Sequence, residues 1–285
     1  MSVSEQADSD KALAQAIVND FHEYFSTLPP FTQGSRYVLP HALITVPLPP
    51  AMGGLSVETF ADMYARVSQL LLGQYDSGIK SFAHRLAEPD AEVWVSGNIA
   101  AVLVGWSASV NDRDIVHSLN LCTLHRIANQ TSDNRNPWRI SGLVDMKHLS
   151  PEIPMPPVET GPVSEIIAPF EALLGYIKLG DWEAIPSLLL PRGGATISHG
   201  TQDPVTFLWP EFIKRLQVEA ETGPVTERKL SNCEVRQCVD LAFVWAPFML
   251  LVDGRDYTQG ISVCSFRMED GQWLITGLQE TYFNN

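Results

Sequence analysis

The chain has 285 residues, of which 45% are hydrophobic, and 33 acidic against 19 basic side chains give it a formal net charge of −14. This length accommodates two domains of ordinary size, and the composition is typical of a folded globular protein. The acidic balance argues against a nucleic-acid partner and against docking on anionic membranes, because both need clustered cationic side chains. The N-terminal residues lack the basic start and apolar stretch of a secretory signal, so a cytoplasmic location is expected.

The first half opens with helices. Apolar residues recur at helical spacing in two segments, and they are Leu13, Ile17, Phe21 and Phe25 in the first and Phe60, Met63, Tyr64 and Val67 in the second. Strands follow, with a hairpin signal at Asn111-Asp112 and a polar loop at 129–136 before a last strand from Trp138.

A proline-rich segment separates the two halves. Residues 149–162 contain five prolines, a density that neither a helix nor a central strand tolerates. We therefore predict an extended linker at 149–162 between a first domain at 1–148 and a second at 163–285.

The second half repeats the order of helices and then strands. Ser164 can cap a helix that Gly180 ends, Asp181 can cap a shorter helix through Leu188, and a third helix fits 209–218. Strands are predicted at 240–252, at 257–268 after the hairpin signal Asp253-Gly254, and at 273–282. Helices followed by an antiparallel sheet indicate the α+β class.

The two halves are also similar in sequence. A shift of 142 residues lays 91–126 onto 233–268 with eight identities in 36 positions, and a shift of 135 aligns Trp138–Leu143 with Trp273–Leu278. A period near 140 is too long for a solenoid repeat, so each copy should be a whole domain.

The order of elements and several short motifs resemble the nuclear transport factor 2-like superfamily, in particular its SnoaL-like domains (polyketide-cyclase and ketosteroid-isomerase relatives). The motifs are Leu188–Gly194, Glu211–Leu216, Leu241–Phe248, Val252–Gly254 and Trp273–Leu278. The second copy is the clearer match, and the first is recognised mainly through the internal repeat. The resemblance implies two tandem cones, each with helices packed on a curved sheet around a pocket, and it implies no cofactor.

His117 is the leading candidate for proton transfer. It is in phase with Leu119 and Leu121 on a predicted strand, and Asp114 lies three residues upstream to orient it. A buried imidazole would suit general acid–base chemistry, whereas a strand-end histidine in solvent is the alternative. His199 is a second candidate, with a surface turn as its alternative.

Other residues are candidates for the pocket wall. Aromatic side chains suit a flat, largely apolar ligand, although such residues more often fill a core. The candidates for the substrate pocket are Tyr64, Trp106, Trp245, Phe248 and Gln259, the last being the repeat partner of His117. No metal-binding motif appears.

Two functions stay open from the sequence. The first is a cofactor-free isomerase, cyclase or dehydratase acting on a polycyclic or polyketide-like substrate of secondary metabolism. The second is a non-catalytic ligand-binding or scaffolding protein. Because 99–104 and 241–252 are apolar on both strand faces, we also expect the copies to form an intramolecular pseudo-dimer, with further homo-oligomers possible.

Overall fold

The computed structural model describes residues 3–25, 36–48, 54–75, 80–128, 136–161, 163–200 and 202–283. The chain divides into two compact units, with residues 1–96 and 100–156 in the first and 97–99 and 157–285 in the second. Within the described part of the chain, no helix is long and apolar enough to cross a membrane.

In its described residues, the first unit combines two helices with a six-stranded sheet. In chain order its elements are α1 (Val3–Phe25), β1 (Val38–Pro47), β2 (Leu55–Thr59), α2 (Phe60–Tyr75), β3 (Phe82–Ser96), β4 (Ile99–Val110), β5 (Arg113–Arg126) and β6 (Trp138–Asp145). The strand order is β2-β1-β6-β5-β4-β3, with β1 parallel to β6 and antiparallel to β2. The predicted polar loop falls at 129–135, outside the described residues, apart from Asn136.

The second unit repeats this plan with a larger sheet. Its elements are β7 (Glu159–Thr160), α3 (Ser164–Leu179), β8 (Leu189–His199), β9 (Val205–Leu208), α4 (Trp209–Thr222), β10 (Thr226–Leu230), β11 (Glu234–Cys238), β12 (Leu241–Val252), β13 (Arg255–Glu269) and β14 (Gln272–Tyr282). The main strand order is β7-β11-β12-β13-β14-β8-β9, and β10 also pairs with β12. The predicted α+β class, with helices packed on a mainly antiparallel sheet in each copy, is confirmed.

One predicted helix is wrong. Asp181 does not begin an α-helix, and the segment forms turns followed by a 3-10 turn at Ile185–Leu188. Pro186 explains the difference, because proline lacks an N–H donor and its ring clashes with the preceding helical turn. The end of α3 agrees with the prediction, since Gly180 has a left-handed φ of 69° and its N–H bonds to the carbonyl of Ile177.

The hairpins and bulges recur at equivalent positions of the two units. Asn111-Asp112 and Asp253-Gly254 all have positive φ, as the tight two-residue turns of hairpins require. The ladder between β5 and β6 shifts register between Thr123 and Leu124, and the ladder between β13 and β14 shifts at the equivalent Ser265 and Phe266. The internal repeat is thus preserved as a shared strand register.

Each sheet has one face that packs against the helices, called here its inner face. In the first unit the inner face carries Val102, Val104, Cys122 and Leu124, which share a core with residues of α1 and α2. In the second unit it carries the residues of the corresponding core, which include Val244, Ala246, Cys264, Phe266 and Leu278. Side chains alternate along a strand, so this pattern fixes which residues face each interior.

Candidate functional site

Both units place a buried carboxylate at the same position of the inner face. Asp145 lies opposite Asn120 in the ladder of β5 and β6, and Glu280 lies opposite Ser262 in the ladder of β13 and β14. The two carboxylates are equivalent under the shift of 135 residues. Their side chains are 5% and 0% exposed, and a buried carboxylate needs hydrogen bonds or an opposite charge.

In the first unit, mostly neutral donors surround Asp145. Its Oδ1 accepts hydrogen bonds from Trp106 Nε1 at 3.1 Å, Ser118 Oγ at 2.8 Å and Asn120 Nδ2 at 2.8 Å. Its Oδ2 lies 2.8 Å from Nε2 of His148. The carboxylate is therefore fully used in holding together β4, β5 and the end of β6.

Two further histidines lie next to this cluster. The Nδ1 atoms of His22 and His84 are 3.0 Å apart, and the His84 ring stacks on Trp106 with centroids 4.3 Å apart. Burial lowers the pKa of His22 to about 4, against a smaller opposing effect of Asp145. Burial, and then His22 and His148, lower the pKa of His84 well below its ordinary value. Both imidazoles are neutral at pH 7, which lets one donate and the other accept in the bond between them.

In the second unit, a guanidinium group meets the carboxylate. Nη2 of Arg228, on β10, lies 3.0 Å from Oε2 of Glu280, and Ser262 Oγ donates to Oε1 at 2.8 Å. The hydroxyl of Tyr282 donates to Glu280 Oε2 at 3.0 Å and accepts a hydrogen bond from Arg228. The result is a compact cluster of two opposite charges and a phenol.

The cluster stabilises one protonation state of each group. Burial alone would lower the pKa of Arg228, but the neighbouring Glu280 and Tyr282 raise it above its ordinary value. Burial raises the pKa of Tyr282, Arg228 opposes this, and the charge of Glu280 adds to the rise. Arg228 therefore stays charged and Tyr282 stays protonated at neutral pH.

A large open cavity adjoins this cluster. It has a volume of about 1070 Å³, and its walls come from α3, α4, β10 and the hairpin of β12 and β13. Apolar side chains such as Trp182 and Leu216 line it together with Arg228, Tyr282 and His199. Large cavities whose walls combine apolar side chains with convergent polar groups are a usual form of small-molecule site.

His199 lies on the wall of this cavity. Its ring stacks on Tyr282 with centroids 4.6 Å apart, and burial followed by the charge of Arg215 lowers its pKa below the ordinary value. The imidazole is therefore neutral at pH 7 and able to accept a proton. His199 is exposed at the end of β8, which agrees with its predicted surface alternative, and it shares a cavity wall with Arg228 and Tyr282.

His117 and its predicted partner have a different placement. On β5 the inner face carries Ser118, Asn120 and Cys122, so His117 lies on the opposite face with Leu119 and Leu121. His117 is half-buried and its backbone pairs with that of Leu149, while Asp114 is exposed. His117 shares a strand face with Leu119 and Leu121, as expected, but that face of β5 is turned away from the helices.

The predicted pocket residues divide between the two sheet faces. Trp106 and Phe248, which are repeat equivalents, both lie on the inner face; Trp106 bonds Asp145 and Phe248 packs on Tyr282 at 5.3 Å. Tyr64 packs against the core of the first unit. Trp245 lies on the outer face, because it alternates with the inner-face residues Val244 and Ala246. Gln259 also lies on the outer face and is exposed, although its neighbour Thr258 lines the cavity.

Sequence reasoning missed the central residues of the site. Asp145, Glu280, Arg228 and Tyr282 were not candidates, although the shift of 135 residues aligns Asp145 with Glu280. The sequence signal for these residues was an acid at the same position of the largely apolar last strand in both copies. Within the described ranges, no cluster of three or more His, Cys, Asp or Glu side chains is arranged to hold a metal ion.

Comparisons with known proteins give similarities of fold. No protein-family model matches the chain, and no curated protein does. Among solved structures, an NTF2-like protein of unknown function from Pseudomonas putida KT2440 is 15% identical with a TM-score of 0.36, over 41% of this chain and 84% of that one. An NTF2-like protein with a cystatin-like fold from Novosphingobium aromaticivorans is 14% identical with a TM-score of 0.36, over 43% and 82%. Each of these structures is similar in fold to about two-fifths of this chain.

Proposed function

We propose that the protein binds a small, largely apolar molecule in the cavity of the second unit and transfers a proton of that molecule through His199. The observation that carries this proposal is the placement of a neutral imidazole and a fixed guanidinium on the same cavity wall. His199 stacks on one ring, Tyr282, over which Arg228 also lies at 5.9 Å from the ring centroid. An acceptor and a hydrogen-bond donor therefore flank the same ring on the wall of one cavity, whose lining is partly apolar and partly polar.

The chemistry that fits this pair is proton abstraction next to a carbonyl group. His199 would take a proton from the carbon beside the carbonyl, and Arg228 would donate a hydrogen bond to the oxygen that becomes negative. Return of the proton to a different carbon gives isomerisation. Departure of a hydroxyl group from the next carbon, with a proton, gives dehydration. Neither route requires a change in the charge of Arg228.

A non-catalytic binding protein is the second candidate, and one observation favours it. The carboxylate of Glu280 is held by Ser262, Arg228 and Tyr282, so it is a poor proton acceptor for a ligand. Proton transfer in this cavity therefore depends on His199. If His199 does not act, the same cavity is a binding site alone.

The test is exchange of ligand protons in heavy water. Ketones that stabilise the protein in a thermal-shift screen are incubated with it in D₂O, and deuterium uptake beside the carbonyl is followed by mass spectrometry. We expect catalysed uptake that falls at least tenfold in His199→Gln. The control is His41→Gln, since His41 is an exposed histidine of the first unit. Binding without uptake would favour the binding protein, and the absence of any binding ketone would contradict both candidates.

A further inference from the structure

The charges at the inner end of the cavity indicate which ligand charge the site accepts. This inference rests on the proposed function, in which the cavity binds a small molecule. Arg228 brings a positive charge to the cavity wall, but Glu280 already neutralises it at 3.0 Å with a fully buried carboxylate. The other cations nearby are also paired, Lys178 with Glu227 at 2.9 Å and Arg215 with Glu219 at 2.7 Å. The cavity wall therefore has no excess positive charge for an anionic ligand.

Arg228 nevertheless keeps a hydrogen-bond donor. Its Nε is buried and has no hydrogen-bond partner among the described residues, while Nη2 serves Glu280 and Tyr282. The guanidinium lies over the rings of Phe248 and Tyr282, at 5.8 and 5.9 Å from their centroids. The Nε atom itself has almost no accessible surface, but 12% of the Arg228 side chain is exposed and lines the cavity. There the N–H groups that Glu280 and Tyr282 do not use can donate to a ligand oxygen.

A neutral oxygen suits this position better than a carboxylate. A carboxylate would bring a second negative charge beside Glu280 against one guanidinium, in surroundings where uncompensated charge is strongly unfavourable. A carbonyl oxygen accepts the hydrogen bond and adds no charge.

The open end of the cavity is apolar, in contrast to the charged and polar inner end. Three of the residues that line it are large, apolar and exposed, and they are Leu179 at 80%, Val225 at 70% and Tyr257 at 61%. They come from the end of α3, the segment after α4 and the start of β13. An apolar ligand body that extends from Arg228 towards the solvent would cover these side chains.

We infer that the ligand is an uncharged amphiphile with a carbonyl-type oxygen at Arg228 and an apolar body against Leu179, Val225 and Tyr257, and that Glu280 is the specificity residue that excludes carboxylates. Glu280 acts through Arg228, because its own side chain is fully buried behind the guanidinium.

The experiment compares two probes of equal length, 2-nonanone and nonanoate, by calorimetric titration of the full chain. The wild type should bind 2-nonanone at least tenfold more tightly than nonanoate. Lengthening the ketone should tighten binding by about fourfold per methylene until the body passes the open end. In Glu280→Gln, which frees the charge of Arg228, the ratio should fall at least tenfold in favour of nonanoate.

A matched control is available in the same unit. Asp240 neutralises another buried arginine, Arg267, at 2.8 Å, and neither residue lines the cavity. Asp240→Asn should leave the ketone-to-acid ratio unchanged. If Glu280→Gln does not fold, the wild-type ratio still decides the ligand class.

The ligand-class inference and the proposed binding function are contradicted by different outcomes. Tighter binding of nonanoate by the wild type, or a ratio that Glu280→Gln leaves unchanged, would overturn the inference while the binding function stands. Failure of both probes to bind either protein would overturn the inference together with the proposed function.

Discussion

The two units hold a carboxylate at one structural position but surround it differently. In the first unit Asp145 meets neutral donors of Trp106, Ser118 and Asn120 and the imidazole of His148. In the second, Glu280 meets the guanidinium of Arg228 beside an open cavity. The shared fold therefore fixes where the acid lies, whereas the neighbouring side chains decide whether it supports packing or controls the charge of a cavity wall.

The largest expected effect is the removal of the charged partner in the second unit. Glu280→Ala leaves Arg228 buried without its carboxylate, which should lower the free energy of unfolding by about 3–5 kcal/mol. Hydrogen exchange of β13 and β14 measures this loss within the second unit. Replacing both residues, as Arg228→Met with Glu280→Leu, should restore most of the stability, and a double variant no better than Glu280→Ala would contradict the ion-pair explanation.

Removal of the equivalent acid in the first unit should cost less. Asp145→Ala leaves neutral donors without an acceptor, for which we expect a loss of about 1–3 kcal/mol, seen as faster hydrogen exchange in β5 and β6. Asp145→Asn should recover part of it by accepting some of the same bonds. A larger loss of unfolding free energy than that of Glu280→Ala would contradict the expectation that a carboxylate with neutral partners contributes less than one paired with a guanidinium.

Acid should destabilise the first unit. Burial lowers the pKa of His22 to about 4, so the unfolded chain binds a proton that the folded unit does not. Stability from this histidine is present above about pH 6.5 and is lost progressively as the pH falls towards 4. Urea unfolding at pH 7 and pH 5 should show this loss, and His22→Phe should reduce it. An unchanged pH dependence in His22→Phe, with exposed His41→Phe as the control, would contradict the prediction.

The smallest effect is expected at His117. Asn120 faces the inner side of β5 and bonds Asp145, whereas His117 lies on the other face. Asn120→Ala should therefore cost about 1 kcal/mol of unfolding free energy, and His117→Ala within about 0.5 kcal/mol. Loss of ligand proton exchange in His117→Ala would return the proton-transfer role to that residue.

Much of the fold could be predicted from the sequence because it depends on local and repeated patterns. Helical spacing gave α1 and α3, the turn residues gave the hairpin at Asp253-Gly254, and the internal repeat predicted a common register. Two predictions about helices differ from the structure. Val163 and not Ser164 is the N-cap of α3, and Pro186 prevents an α-helix after Asp181.

The site was predicted less well, for two physical reasons. Both faces of β5 are buried, so the alternation that groups His117 with Leu119 and Leu121 does not show which face meets the helices. Arg228 lies on β10, which pairs with β12, and its contact with Glu280 spans 52 residues of sequence. No local pattern encodes such a contact. His199 was a candidate because the family resemblance places the segment after Thr196 near the mouth of a pocket, and its role remains a prediction.

The most direct test of a ligand site in the second unit is protection from hydrogen exchange on addition of 2-nonanone. Protection is predicted in the cavity-lining segments at 177–182, 216–228 and 250–258, with the segments around Trp106 and Asp145 unchanged. Protection centred on Trp106 and Asp145, or no protection at a saturating ketone concentration, would contradict this assignment.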